Sequence, residues 1–328
     1  MLVYHIMALN ISFNQSGSHL ICCGNKGETI YKLMPSLSMK IDNNRNGGVG
    51  IFRMFGTTNI MIFTGGGKNP CKSKDTVVIW DECKKKIVTE LDMKETVRNI
   101  CVANDRIVVV LEKMIYIFNF KGVLLNTKPT YSNPDGLCVI NNNADKFAIV
   151  SLGLKKGEVM IWEPINDKQK LIQAHNSNIE YISTNNTGNL IATASETGTL
   201  IRVFAGSEVK YEFRRGTYTT RIFDLQFSKD SKILACCSGN GTIHLFDLYD
   251  NLDKSKNTQS YLSSIKSYLP TYFSSQWGFA QISLPNVAKA TCVFDDDNIL
   301  HVATYDMKYY RIIGPEYAIV TETNIPIN

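Results

Sequence analysis

Apolar residues come in short runs rich in Val, Ile, Phe and Tyr, each cut by Gly, Asn or Asp, and sustained 3.6-residue periodicity is nearly absent outside one segment. The chain therefore reads as almost entirely β. One unit recurs: an apolar strand, a tight polar or glycine turn, and a second strand ending on a large apolar residue. The copies are HLICCGNKGETIYKL, IMIFTGGGKNPCKSKDTVVIW, RIVVVLEKMIYIF, KFAIVSLGLKKGEVMIW, LIATASETGTLIRVF, ILACCSGNGTIHLF and ILHVATYDMKYYRI. Their closing residues, Leu33, Trp80, Phe118, Trp162, Phe204, Phe246 and Ile312, are spaced by 47, 38, 44, 42, 42 and 66. A hairpin repeated every 40 to 45 residues is the signature of four-stranded propeller blades, each of which buries its faces only against its neighbours. The pattern predicts an all-β fold, a single seven-bladed β-propeller over 1–328 with four antiparallel strands per blade. The usual Trp-Asp pair occurs once, in IWDE, whereas other blades close with VFAG, IWEP and LFDL, so the propeller is a divergent WD40 type. YHIMALNIS before the first hairpin and YAIVTETN after the last supply an inner and an outer strand. The ring is expected to close without exchanging a strand between termini.

The long last interval locates an insertion in blade six, over 249–276. A polar, lysine-containing lead is followed by Tyr261, Leu262, Ile265, Tyr268 and Leu269, which share one helical face until Pro270 stops the helix. Tyr272, Phe273 and Trp277 flank it. Such a segment suits a membrane interface. A disordered loop, or one docked on the propeller or a protein partner, is the alternative.

Composition narrows the function classes. A formal net charge of +5 is compatible with an anionic partner but falls far short of a nucleic-acid-coating protein. No run approaches the length of a transmembrane helix, and the start MLVYHIMALNIS has neither a basic n-region nor a cleavage signature, so a cytosolic protein is expected. Nine cysteines without a C-x-x-C pair read as small buried residues, not disulfides or zinc ligands. No nucleophile with a base, no metal-ligand spacing and no phosphate loop is found, so neither an enzyme nor a cofactor is expected. The basic clusters at 84–86 and 155–156 fall in inter-strand turns.

The stretch EFRRGTYTT sets two arginines side by side. It follows the fifth hairpin, and residues 209–215 read as the outer strand of blade five. Consecutive side chains on a strand point to opposite faces. Arg214 and Arg215 should therefore serve different places, one near the hairpin of its own blade and one near the hairpin of the next. The fifth hairpin offers Thr193, Ser195, Thr199 and Arg202; the sixth offers Ser238, Thr242 and His244. Hydroxyls, turn N–H groups and a guanidinium are what a phosphate monoester needs. Solvated arginines beside hairpins chosen for β propensity would look the same at this level.

FRRG after SETGTLIRVF and before GTIHLF resembles the PROPPIN family, seven-bladed propellers that include the WIPI proteins and bind polyphosphoinositides. NPCKSKDTVVIWDECKKKIVTELDMKETVRNI, RIVVVLEKMIYIF and YFSSQWGFAQISLP extend the resemblance over nearly the whole chain, and are more similar to the compact WIPI3-like and WIPI4-like branch. The resemblance implies a first lipid-binding site of Arg214 with His175, Thr193, Ser195, Thr199 and Arg202. It implies a second of Arg215 with Gly216, Ser238, Thr242 and His244. The ligands it implies are phosphatidylinositol 3-phosphate and phosphatidylinositol 3,5-bisphosphate, with the blade-six loop inserting into the bilayer. Gly216 is expected to let the backbone turn sharply after the arginines. GTYTTRIF departs from the acidic-containing stretch that many relatives carry there.

The resemblance further implies a monomer that binds no nucleic acid and associates peripherally with endosomal, vacuolar or pre-autophagosomal membranes. It would recruit an autophagy lipid-transfer protein through blades two and three, where the loop GGGKNPCKSKDT matches a family loop. The alternative is a protein-only WD40-like scaffold whose arginine pair binds an acidic peptide.

Overall fold

The computed structural model describes residues 8–103, 105–141, 147–249, 257–259, 276–285 and 289–326. Among the described residues seven sheets follow one another, and each contains four antiparallel strands, consecutive in sequence in every blade but the sixth, whose outer strand comes after two short strands of the insertion. The second strand of a blade is packed on both faces, so it is largely apolar rather than alternating. Leu190–Ser195 in blade five and Leu300–Thr304 in blade seven have every residue buried, whereas the outer strand Ser38–Asn44 of blade one is exposed or half-buried along its length. This gradient is why the hairpin of strands two and three is the unit that repeats visibly. Six of the seven closing residues lie in third strands, and Leu33 sits one residue beyond Gly27–Lys32.

The ring closes between blade seven and blade one without strand exchange. Ile11, Leu20, Tyr31 and Leu33 pack against Ala303, Met307, Tyr309 and Ile325, and the Tyr31 hydroxyl donates to the Pro326 carbonyl at 2.5 Å. The inner strand of blade one is Asn10–Phe13, later than the expected YHIMALNIS, and residues 1–7 lie outside the described set. Inner strands surround a central channel of about 470 Å³ that neither Arg214 nor Arg215 lines.

Blade five comprises Ile179–Thr184, Leu190–Ser195, Leu200–Ala205 and Glu208–Arg214; blade six comprises Ile222–Phe227, Ile233–Ser238, Thr242–Asp247 and Ala280–Ser283. The outer strand of blade five thus ends at Arg214, one residue before the expected end. Arg215 leaves the ladder because its N–H turns to the Thr199 carbonyl, 2.9 Å away, in the hairpin turn.

The blade-six insertion lies between Asp247 and Ala280, and its ends are not loop. Thr258–Gln259 and Gln276–Trp277 pair antiparallel with each other, and Gln276–Trp277 pairs parallel with Phe213 and Arg214. Blade five's sheet is thereby extended to six strands. Asn257 fastens this stem: its side chain accepts from the Asp247 N–H and donates to the Asp247 carbonyl, both at 2.8 Å, and to Gln276 Oε1 at 3.0 Å. Tyr261, Leu262, Ile265, Tyr268, Leu269, Tyr272 and Phe273 lie outside the described residues.

All nine cysteines are free thiols. Six are buried as expected, but Cys71 and Cys101 are half-buried and Cys83 is exposed, because it sits in the turn between Thr76–Asp81 and Lys86–Asp92. Among the described residues no helix is long and apolar enough to cross a membrane.

Candidate anion-binding site

Every blade places one residue directly after its outer strand, with its N–H bonded back to the hairpin region of the same blade. These residues are Arg45, Met93, Thr130, Ala174, Arg215, Leu284 and Ile325, and the seven N–H···O distances run from 2.7 to 2.9 Å. Where its packing is recorded, the side chain at this position meets the following blade. Ala174 packs with Ile179 and Phe204 of blade five, Leu284 with Cys292 and Phe294 of blade seven, and Ile325 with Leu20 and Tyr31 of blade one. The position is an inter-blade plug, which four blades fill with an apolar side chain, blade three with Thr130, and blades one and five with a guanidinium.

Arg215 is 5% exposed. Its Nε donates to the Gly198 carbonyl at 2.7 Å, and its Nη2 donates to the Tyr218 carbonyl. No carboxylate among the described residues lies within ion-pair distance of it. Burial lowers its pKa from the usual arginine value, because a cation removed from water without a counter-ion is destabilised. On blade six, Cys236 and His244 are cross-strand partners, as are Ser238 and Thr242, and the Ser238 hydroxyl donates to the Thr242 carbonyl at 3.0 Å. Burial, then the Arg215 charge, pushes His244 down to about 4, so its ring is neutral near neutral pH. An aromatic stack leads to that ring: Tyr211, Phe213, Phe246 and His244, with successive centroids 5.5, 4.8 and 6.4 Å apart. The structure therefore brings Arg215, Ser238, Thr242 and His244 to one side of the blade five–six boundary.

Arg214 points the other way, since Phe213 faces blade six and the strand alternates. It is also 5% exposed, sits opposite Leu200 in the ladder, and has the Trp277 ring 5.6 Å from its guanidinium carbon. Two residues back on the same face, Glu212 pairs across to Arg202, which pairs across to Thr193. Thr193 Oγ1 lies 2.9 Å from His175 Nε2, and Arg202 Nη1 donates to the Ala174 carbonyl at 2.7 Å. Burial, then the Arg202 charge, pushes His175 down to about 4. Ser195 shares a 2.9 Å hydroxyl contact with Thr197 at the turn. Thr199 is half-buried, and its carbonyl serves Arg215, so it links the two half-sites through its backbone.

Gly216 corrects the sequence expectation. Its φ is not in the left-handed region, and a Cβ added there would meet nothing within 4 Å. The turn does not need glycine; the residue leaves open space beside Arg215. The stretch after it, which departs from the relatives, supplies an anchor, because the Tyr218 carbonyl holds Arg215 while its side chain is 81% exposed. Sequence reasoning missed Glu212, Trp277 and the Gly198 carbonyl. Glu212 was legible, two residues before Arg214 and so on its face; Trp277, sixty-three residues away, was not.

A family model described as PROPPIN matches residues 78–276. SVP1-like protein 2 of Pichia angusta is 32% identical over 284 residues, covering 83% of this chain and 79% of that protein. Autophagy-related protein 18e of Arabidopsis thaliana is 30% identical over 312 residues, covering 93% and 83%. The fold matches Kluyveromyces lactis Hsv2 with a TM-score of 0.78 at 23% identity, over 98% of this chain and 99% of that one. With the ring, the divided arginine pair and a family match over more than half its length, the chain belongs to the PROPPIN family.

Proposed function

We propose that this protein is a non-enzymatic phosphoinositide effector that binds phosphatidylinositol 3-phosphate and phosphatidylinositol 3,5-bisphosphate at two half-sites and brings a protein partner to the membrane. The observation that carries this reading is Arg215: a buried guanidinium in a position that four blades fill with an apolar side chain, with no carboxylate beside it among the described residues. A phosphate monoester supplies the missing charge, and the Ser238 and Thr242 hydroxyls and the His244 ring supply further hydrogen bonds. The first half-site gathers Arg214, Arg202, Thr193, Ser195 and His175 around the opposite face of the same strand. The relatives named for autophagy support a role in that process.

The insertion from 249 to 276 adds a third contact with the bilayer in this reading. Its stem leaves from beside Arg214, so headgroup capture and loop insertion would address one membrane surface. Individually weak contacts on a shared surface multiply through effective concentration. Blades two and three carry the protein partner. Their loop is held in shape by the Gly48–Pro70 bridge and by a 2.7 Å bond from the Gly48 N–H to the Asn69 carbonyl, which presents Lys68 on a fixed frame.

Flotation with phosphatidylcholine vesicles tests the proposal. Wild type should float with vesicles carrying either lipid and not with phosphatidylcholine alone, and Arg214→Thr/Arg215→Thr should stay behind. Equal flotation of the double variant would sink the proposal, and titration with soluble headgroup showing one site per chain would remove the two-site arrangement.

A further inference from the structure

Each half-site holds an arginine by its Nε and one terminal nitrogen, but the first also carries Arg214 and a carboxylate where the second has Arg215 alone. Arg215 is held by Nε to one carbonyl and by Nη2 to another. Arg202 is held by Nε to Glu212 Oε2 at 2.8 Å and by Nη1 to the Ala174 carbonyl at 2.7 Å. Each guanidinium keeps one terminal nitrogen, Nη1 of Arg215 and Nη2 of Arg202, without a hydrogen bond to any described residue. Two anchors leave a planar fork one free edge, which fits end-on contact with a phosphate oxygen. One fork is anchored by two neutral carbonyls and keeps its full charge. The other carries a carboxylate on its Nε.

We infer that Glu212 sets the charge selectivity of the first half-site, holding Arg202 in place while opposing every anionic group that approaches it. This inference rests on the phosphoinositide reading above and deepens it. Glu212 and Arg202 are cross-strand partners on the outer and third strands of blade five, with side chains 17% and 29% exposed, so the pair is only partly screened by water. Glu212 lies on the same strand face as Arg214, two residues away, and is therefore close to any headgroup that Arg214 holds. Coulomb repulsion grows in proportion to the charge of the ligand. A headgroup with one monoester phosphate meets this carboxylate once; a headgroup with two meets it with nearly twice the charge. Glu212 therefore cuts the advantage that Arg214 and Arg202 give a bisphosphate over a monophosphate at the first half-site, whereas no acid does so at the second.

The test uses the full chain in the Arg215→Thr background, so that the first half-site is read alone, with phosphatidylcholine vesicles carrying either lipid at the same mole fraction. Glu212→Gln should raise affinity for monophosphate vesicles by about threefold and for bisphosphate vesicles by about tenfold, since the gain scales with ligand charge. Glu212→Asp keeps the charge and should keep the original preference. An equal gain for both lipids, a loss for both, or the same shift in Glu212→Asp would overturn the assignment and leave Glu212 only an anchor for Arg202. If Arg215→Thr abolishes all binding while wild type still floats, the first half-site carries no affinity and the assignment falls with it. Failure of wild type to float with either lipid would instead sink the phosphoinositide reading itself.

Discussion

Arg45 in blade one and Arg215 in blade five occupy the same position of the repeat, yet one is a closed structural ion pair and the other an open cation. Both follow an outer strand, and both donate their N–H to the hairpin region, Arg45 to the Lys26 carbonyl at 2.8 Å and Arg215 to the Thr199 carbonyl at 2.9 Å. Both point toward the next blade. Arg45 meets Glu28 through Nε at 3.0 and 3.1 Å and through Nη2 at 2.6 Å, and the Phe63 and Trp80 rings each lie 4.6 Å from its guanidinium carbon. Glu28 sits two residues after the accepting carbonyl, opposite Asn43; the residue so placed in blade five is Ile201, opposite Phe213. One substitution of type, Glu for Ile on a third strand, decides whether the plug arginine is neutralised. Where the acid is missing, the charge has no carboxylate beside it among the described residues.

The largest expected effect breaks the closed half of this comparison. Arg45→Ala strands Glu28 in the interior, where burial already raises its pKa against the opposing pull of Arg45. Loss of one partner of a buried pair costs about 3–5 kcal/mol, so denaturant unfolding should show a large drop while the folded fraction still binds vesicles. A drop confined to lipid binding would mean that the two arginines are not different in kind.

Next in size is the pH response of the histidines. His175 and His244 titrate near 6.5 when unfolded and are pushed down to about 4 in the fold. Between those values the unfolded chain binds more protons, so stability present above pH 6.5 is lost as pH falls toward 4. The loss is on the order of 3 kcal/mol per histidine once pH is below both values. His244→Asn should flatten its share of the unfolding profile. A phosphate beside either ring favours the imidazolium, so vesicle affinity should rise as pH is lowered from about 7 to about 5.5. An unchanged profile in His244→Asn would remove that ring from the second half-site.

Arg215→Met puts at this position an apolar plug like those of blades two, four, six and seven. Vesicle affinity should fall about tenfold or more, the size of losing a charge-assisted hydrogen bond, while the unfolding midpoint stays level or rises. Coupled loss of stability and binding would make Arg215 a structural residue like Arg45. The smallest effect is at Gly216: with ordinary φ and open space for a Cβ, Gly216→Ala should change stability by less than about 0.5 kcal/mol and leave flotation nearly intact. A large loss of flotation would show that the ligand needs the space.

The ring was legible because a strand packed on both faces has to be largely apolar, and that requirement repeats at each second strand. The outer strands were harder to bound: Glu208–Arg214 is exposed at its start, and its end is decided by whether the next N–H joins the ladder or the turn. Much of the candidate site followed from strand alternation at Arg214 and Arg215. Gly216 was misjudged because glycine in a turn signals either left-handed φ or open space, and the letters are the same for both.

The sequence by itself determined the number of blades, the hairpin that defines them and the division of neighbouring arginines between two faces, since each depends only on spacing along the chain. The tertiary structure alone decided which buried arginine keeps its charge and what lies beside it. Charge compensation depends on cross-strand register, which sets Ile201 where blade one has Glu28. The neighbourhood of Arg214 depends on the blade-six stem crossing to pair with blade five, which brings Trp277 over the guanidinium from far along the chain.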